Sequence, residues 1–180
     1  MSALPAADTI IVTPGAAPWQ GMLEFAGRQY RCALGKAGTT ASKREGDHKS
    51  PLGRFALRHL LYRPDRFAQT PETALTVRPL KADDGWCDDP ADPYYNRAVR
   101  LPYPASAEQL WREDGVYDLI VPLGYNDDPA TPGLGSAIFM HIARPDFSGT
   151  EGCVALARGD LIQLLRTIGP ATMMEIRAAG

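Results

Sequence analysis

Proline and glycine interrupt this chain from end to end and leave only short uninterrupted segments. The 180 residues include 16 Pro and 17 Gly, which are spread throughout instead of being collected in a linker. Many of the segments between them alternate apolar and polar residues over a few positions, which is typical of β-strands. We therefore expect a mostly β fold with short helices. The length suits a single domain over residues 1–180.

The predicted strands follow one another along most of the chain. They lie in DTIIVT (8–13), GMLEFAGRQYRCALG (21–35, two strands joined near Ala26-Gly27), RFALRHLLYR (54–63), TALTVRPL (73–80), GVYDLIVPLGYN (115–126) and GSAIFMHIA (135–143). The alternating segment TMMEIRAA (172–179) is predicted to be an edge strand.

Two segments predict helices. In PASAEQLWRED (104–114), Ser106 and Gln109 have the spacing of a capping box. In GDLIQLLRTIGP (159–170), Leu161, Leu164, Leu165 and Ile168 share one helical face, and Gly169-Pro170 ends the helix.

Charge and composition argue against several partners. The formal net charge is -2 and no run of Lys or Arg occurs, so nucleic acid is not expected as a partner. No apolar stretch approaches the roughly 20 residues of a transmembrane helix. The N-terminal MSALPAADTIIV lacks the features of a signal peptide. We expect a monomer.

Of the three cysteines, Cys32 and Cys87 either pair in an oxidising compartment or remain free thiols.

The segment HIARPDFSGTEGCVAL (141–156) holds the strongest candidate site. His141 follows the apolar AIFM, so it lies at or near the end of a buried strand. Cys153 follows Gly152, which permits a sharp bend and exposes backbone N–H groups beside the thiol. A thiol with a pKa near 8.5 needs a nearby imidazole to act as a nucleophile at neutral pH. The other interpretation of this spacing is a structural cysteine and a core histidine.

The same segment resembles the active-site signature of the L,D-transpeptidase catalytic domain, the YkuD-type family of cell-wall enzymes. His141 matches the histidine of that family, and Thr150, Gly152 and Cys153 match its Ser/Thr-x-Gly-Cys motif. Upstream, GKAGTTASKREGDHKSPLGRFAL (35–57) resembles a second motif of the family, at Gly46, Asp47, Ser50, Pro51, Gly53 and Phe55. The segments YRPDR (62–66) and GWCDDPADPYYNR (85–97) resemble the small, single-domain subgroup.

The resemblance implies an L,D-transpeptidase-type β-sandwich and acyl transfer between peptidoglycan stem peptides. Cys153 would form a thioester, with His141 as its general base and the N–H groups near Gly152 as oxyanion donors. The residues leave two alternatives open: an L,D-carboxypeptidase or amidase at the same site, and a non-catalytic wall-binding domain. The implied location is the cell envelope or periplasm, although no signal peptide is visible.

Substrate contacts are the less defined part of the resemblance. Arg144 is a candidate for binding a substrate carboxylate, and Thr150 for ordering the turn or orienting a substrate group. Tyr62 and Arg63 are expected to line the cleft by resemblance. Two positions depart from the family: Glu151 stands where histidine is common, and Ala155 where Arg or Asn is common.

Neither a metal nor another cofactor is expected. The acidic pairs of the loops lack the spacing of an EF-hand, and His48, His59 and His141 are scattered along a chain without a Cys-x-x-Cys motif.

Overall fold

Strands dominate the computed structural model, which describes residues 8–180. One α-helix, α1, spans Arg158–Leu165. The strands are β1 (Thr9–Pro14), β2 (Gln20–Phe25), β3 (Arg28–Ala33), β4 (Thr39–Thr40), β5 (Ser50–Pro51), β6 (Gly53–Ala56), β7 (Leu60–Tyr62), β8 (Val77–Pro79), β9 (Asp84–Cys87), β10 (Ala98–Arg100), β11 (Ala107–Gln109), β12 (Leu119–Pro122), β13 (Phe139–Ile142), β14 (Val154–Leu156) and β15 (Met173–Ile176). The expected mostly β fold is confirmed.

Ten strands form one curled sheet in the order β6-β15-β1-β2-β3-β14-β13-β12-β7-β8. A three-stranded sheet, β10-β9-β11, packs against one face of it, and β4 and β5 form a small separate pair. The hairpin between β2 and β3 turns at Ala26 and Gly27, which both have positive φ angles (49° and 76°), as in a type I′ turn. This is where the sequence predicts two strands to join.

The central strands β12, β13 and β14 separate two apolar clusters. Met140 and Ile142 of β13 face the larger cluster, which includes the buried leucines of α1. Phe139 faces the opposite way, into a smaller cluster with Ile120 and Cys153. Since side chains alternate along a strand, His141 shares the face of Phe139. The helix therefore supports the sheet from one side, and the candidate site lies on the other.

The helix predicted at 159–170 is confirmed as α1, with its three leucines buried, but it ends at Leu165. The predicted end at Gly169-Pro170 is therefore wrong, and Ile168 is buried beyond the helix. The helix predicted at 104–114 is wrong, because residues 107–109 form β11 and pair antiparallel with β9. The Ser106 hydroxyl, expected to cap a helix, donates to Asp88 Oδ1 at 2.6 Å. Only one α-helix occurs within residues 8–180, not several.

The predicted edge strand at 172–179 is a strand but not an edge. β15 pairs parallel with β1 and antiparallel with β6, so it has a neighbour on both sides. When one face of a sheet is exposed, edge strands and interior strands show the same alternation of buried and exposed residues. The alternating burial of Met174 and Ile176 therefore does not show which kind of strand β15 is.

The cysteines are free thiols in the structure. Cys32 lies on β3 of the large sheet and Cys87 on β9 of the small sheet, and both are buried without a disulfide. Within residues 8–180 no helix has the length and apolar character needed to cross a membrane. The signal-peptide prediction concerns a segment whose first seven residues lie outside the described part. That residues 1–180 form one domain stays a prediction.

Candidate active site

The parallel pairing of β13 and β14 brings the two candidate catalytic side chains together. His141 is in register with Ala155 on the neighbouring strand, and Cys153 lies two residues before Ala155. Residues two apart on a strand point to the same face, so the imidazole and the thiol share one side of the sheet. Both line a cleft of about 350 Å³.

His141 is held in one tautomer by a backbone carbonyl. Its Nδ1 lies 2.9 Å from the oxygen of Ile142, and because a carbonyl only accepts, Nδ1 must carry the proton. Nε2 makes no hydrogen bond within residues 8–180. The ring packs edge-on against Tyr117 with centroids 5.2 Å apart. Burial lowers the pKa of His141 to about 4, so the imidazole is neutral and Nε2 is available as a base.

Cys153 is held as a thiol. Its Sγ donates to the carbonyl of Ala137 at 3.2 Å and accepts from the N–H of Phe139 at 3.4 Å. Burial raises the pKa of the thiol to about 12. No hydrogen bond joins Cys153 to His141 in the described part of the chain. At rest, the Cys153 thiol and the His141 imidazole are therefore both neutral, and the proton that would have to move lies on the sulfur.

The turn before Cys153 depends on Thr150 and Gly152. The Thr150 hydroxyl donates to the carbonyl of Cys153 at 2.8 Å and accepts from the N–H of Gly152 at 3.1 Å. Gly152 has a φ of +141°, and a Cβ there would lie 2.8 Å from the carbonyl oxygen of Lys49. Only glycine fits this backbone. Thr150 thus orders the turn, and the N–H of Gly152 serves the turn instead of facing the cleft.

Arg144 lines the cleft and forms no ion pair with any described residue. Tyr62 and Arg63, the other predicted contacts, do not line it. Arg63 is 2% exposed, forms an ion pair with Asp65 at 2.8 Å and lies 3.8 Å over the ring of Trp111. It supports the loop structure, and of the four predicted substrate contacts only Arg144 and Thr150 reach the cleft.

Sequence reasoning missed most of the cleft wall, including Glu108, Arg112 and Tyr117. The hydroxyl of Tyr117 donates to Glu108 Oε1 at 2.5 Å, and the guanidinium of Arg112 lies 5.2 Å from the Tyr117 ring. Burial raises the pKa of Glu108. Glu108 and Arg112 fall in the segment predicted as a helix, and neither belongs to a motif of the resemblance, so no signal in the sequence points to them.

The two departures from the family have different surroundings. Glu151 lies at the cleft rim, where its carboxylate pairs with Lys36 at 2.8 Å and with the ring of His48. Ala155 is buried between β13 and β3, in register with His141 on one side and Ala33 on the other. Glu151 therefore has partners of its own, and Ala155 contributes no charged group to the strand beside the histidine.

No group of three or more His, Cys, Asp or Glu side chains comes together as a metal site within residues 8–180. The chemistry that the cleft offers is that of a thiol, a neutral imidazole and a free guanidinium.

The fold and the cleft together define the general class of this protein. It is a mostly β protein whose curled sheet carries a cysteine and a histidine on one face. More specifically, the chain belongs to the L,D-transpeptidase catalytic domain family, YkuD, whose model matches residues 25–176.

Two solved structures match most of this chain at low sequence identity. L,D-transpeptidase 1 of Mycobacterium tuberculosis is 11% identical with a TM-score of 0.41, over 96% of this chain and 60% of that one. Bd1075 of Bdellovibrio bacteriovorus is 14% identical with a TM-score of 0.46, over 93% of this chain and 47% of that one. The chain thus spans less than two thirds of either structure. No curated protein matches the sequence.

Proposed function

We propose that this protein is a peptidoglycan L,D-transpeptidase with Cys153 as nucleophile and His141 as general base. The observation that carries the proposal is the shared face of β13 and β14, which presents both side chains to one cleft with Nε2 of His141 unbonded. The family match over residues 25–176 supports the substrate class. A peptidoglycan substrate would imply a location in the cell envelope.

The first half-reaction forms a thioester. The thiol turns from the carbonyl of Ala137 towards Nε2 of His141, and the sulfur attacks the carbonyl that joins the diamino acid of a stem to its terminal D-residue. The proton passes from Sγ to Nε2 and then to the leaving amine as the C–N bond breaks. Because both groups are neutral at rest, proton transfer accompanies the attack instead of preceding it.

The N–H of Cys153 is the oxyanion donor in this mechanism. It makes no hydrogen bond with another group of residues 8–180, whereas the N–H of Gly152 is bonded to Thr150. A fixed N–H directed at the developing oxyanion contributes through its orientation and costs no reorganisation.

Arg144 binds a carboxylate of the donor stem. It has no competing ion pair in the described chain and lies three residues after His141 on the cleft wall. A guanidinium presents two parallel N–H donors to a carboxylate. The Arg144→Gln variant should therefore raise KM with little change in kcat.

The second half-reaction transfers the acyl group. The amine of a neighbouring stem attacks the thioester and His141 accepts its proton at Nε2. As the C–S bond breaks, that proton passes to the departing sulfur, which restores the neutral thiol and imidazole as the cross-link forms. Attack by water at the same carbonyl would give carboxypeptidase products instead.

The test is mass spectrometry of purified tetrapeptide muropeptides after incubation with wild type, Cys153→Ala and, as a matched control, Cys87→Ala. We expect dimers with loss of the terminal D-residue from wild type and the control, and none from Cys153→Ala. Shortened monomers alone would favour the carboxypeptidase. Products that persist in Cys153→Ala would contradict the mechanism, and no reaction with wild type would contradict the proposed substrate.

A further inference from the structure

A second groove runs along the seam between the large sheet and the three-stranded sheet. It consists of two adjoining cavities, of about 280 and 310 Å³, which both border on His59, Trp86 and Ala98. None of its lining residues borders the catalytic cleft. Each cavity is near the lower limit of small-molecule sites, so together they suit an extended ligand. We call this feature the seam groove.

Cations without a partner line the seam groove. Arg97 borders one cavity and Arg78 and Lys81 border the other. None of the three forms an ion pair within residues 8–180. On a chain whose formal charge is -2, this concentration of positive charge is local, and because the three side chains are exposed it is accessible to an anionic ligand.

Two other cations of the seam groove are paired. Arg58 makes two hydrogen bonds of 2.8 Å to Asp127, and Arg100 makes two of 2.8 Å to Asp83. Asp84 is the one carboxylate in the lining without an ion pair among residues 8–180, and it accepts from the backbone N–H of Lys81 at 2.8 Å. Three unpaired cations against one unpaired carboxylate leave the groove with an excess of positive charge.

His59 adds a polar side chain to the seam groove. It lies where the two cavities meet, and its pKa is lowered first by burial and then by the charges of Arg78 and Arg58. A neutral imidazole at this place adds a hydrogen-bonding group without adding charge.

Trp86 provides an apolar wall to both cavities. Its ring packs edge-on against Phe139 with centroids 5.1 Å apart, and its Nε1 donates to Asn96 Oδ1 at 2.9 Å. With its polar atom satisfied and its orientation fixed, the indole is a rigid surface for aliphatic carbon.

We propose that the seam groove binds an extended peptide that carries carboxylates. Arg97 pairs with a carboxylate in one cavity, Arg78 and Lys81 pair with another in the second, and the aliphatic carbon between them packs on Trp86. The natural source of such a peptide, the stem of a peptidoglycan strand, rests on the proposed function. Because the seam groove and the catalytic cleft share no lining residue, the stem bound in the groove is not the stem that reacts with Cys153.

The experiment measures binding by calorimetry in Cys153→Ala protein, with a four-residue peptide of alternating alanine and glutamate as the probe. The Arg78→Gln/Arg97→Gln variant should weaken binding by about tenfold, as expected for the loss of two charge pairs. The matched control is Arg28→Gln/Arg54→Gln, which removes the same charge from β3 and β6. This control and Arg144→Gln, which probes the cleft, should leave the affinity within about twofold.

Three results would overturn the proposal: unchanged affinity in Arg78→Gln/Arg97→Gln, equal binding of a peptide with glutamine in place of glutamate, or tighter binding of tripolyphosphate than of the peptide. The last would reassign the groove to phosphate. Since the protein used here has no nucleophile, the outcome does not depend on whether the transferase reaction is observed.

Discussion

Cys153 should resist alkylation in the free protein at neutral pH. Its thiol donates to Ala137 and has a pKa raised to about 12 by burial. At pH 7 the thiolate fraction is then about 10⁻⁵, against about 3% for a thiol of pKa 8.5. Greater nucleophilicity at the higher pKa recovers about 40-fold of this difference. The net expectation is a rate on the order of 100-fold below that of a free cysteine.

The assay is intact-mass kinetics with iodoacetamide from pH 6 to pH 9. The Cys32→Ala/Cys87→Ala background leaves Cys153 as the only thiol, and the same protein in urea gives the reference rate. The rate should rise about tenfold per pH unit without a plateau, since only the thiolate reacts. A His141→Gln change should leave the rate within about twofold, because no bond joins the two side chains at rest.

A plateau below pH 8, or a rate equal to the urea reference, would refute this reasoning. It would mean that a standing thiolate–imidazolium pair exists before substrate binds. The sequence alone favours a thiolate–imidazolium pair, since a cysteine with a histidine close in space is the usual arrangement of an activated thiol. The burial of both side chains in the structure argues instead for a neutral thiol and a neutral imidazole.

The remaining predictions concern stability and the turn. Gly152→Ala should lower the free energy of unfolding by about 1–3 kcal/mol, because residue 152 has a positive φ and its Cβ would lie 2.8 Å from a carbonyl oxygen. The control Gly159→Ala, with open space around it, should be neutral or stabilising in urea melts. Equal effects of the two substitutions would contradict the role of the turn. Thr150→Val should cost about 1–3 kcal/mol by leaving buried groups without partners, and an unchanged melting curve would contradict it. The pKa of His141 falls from 6.5 to about 4 on folding, so the unfolded state binds more protons between these values and stability is lost as pH falls through them, by up to about 3 kcal/mol. Subtracting the melts of His141→Gln from those of wild type over pH 4–7 should isolate this loss, and parallel curves would contradict it.

Local patterns predicted the parts of the fold that local physics controls. The β2–β3 hairpin follows from strand alternation on either side of Ala26-Gly27, and α1 follows from its leucine spacing, although it ends at Leu165, before the predicted Gly169-Pro170 stop. The prediction failed at Ser106, where the capping-box spacing is real but the backbone gains more by pairing with β9. A choice between helix and strand in so short a segment depends on the partner, which the sequence does not reveal.

The candidate catalytic residues were predicted because a motif and a resemblance identify them, and the fold brings His141 and Cys153 to one cleft as expected. The substrate contacts were predicted less well. Arg144 and Thr150 reach the cleft, but Arg63 is buried against Trp111, because the direction of a side chain at a strand end depends on what packs over it.

By itself, the sequence predicted the mostly β fold from short alternating segments and the family from its resemblance to two motifs, and it identified His141 and Cys153 as candidates. Only the tertiary structure decided that the thiol rests on Ala137 and that His141 is neutral, because burial by β9, β11 and the β13–β14 face sets those states. It also formed the seam groove, whose lining residues come from two sheets and meet only where those sheets pack together.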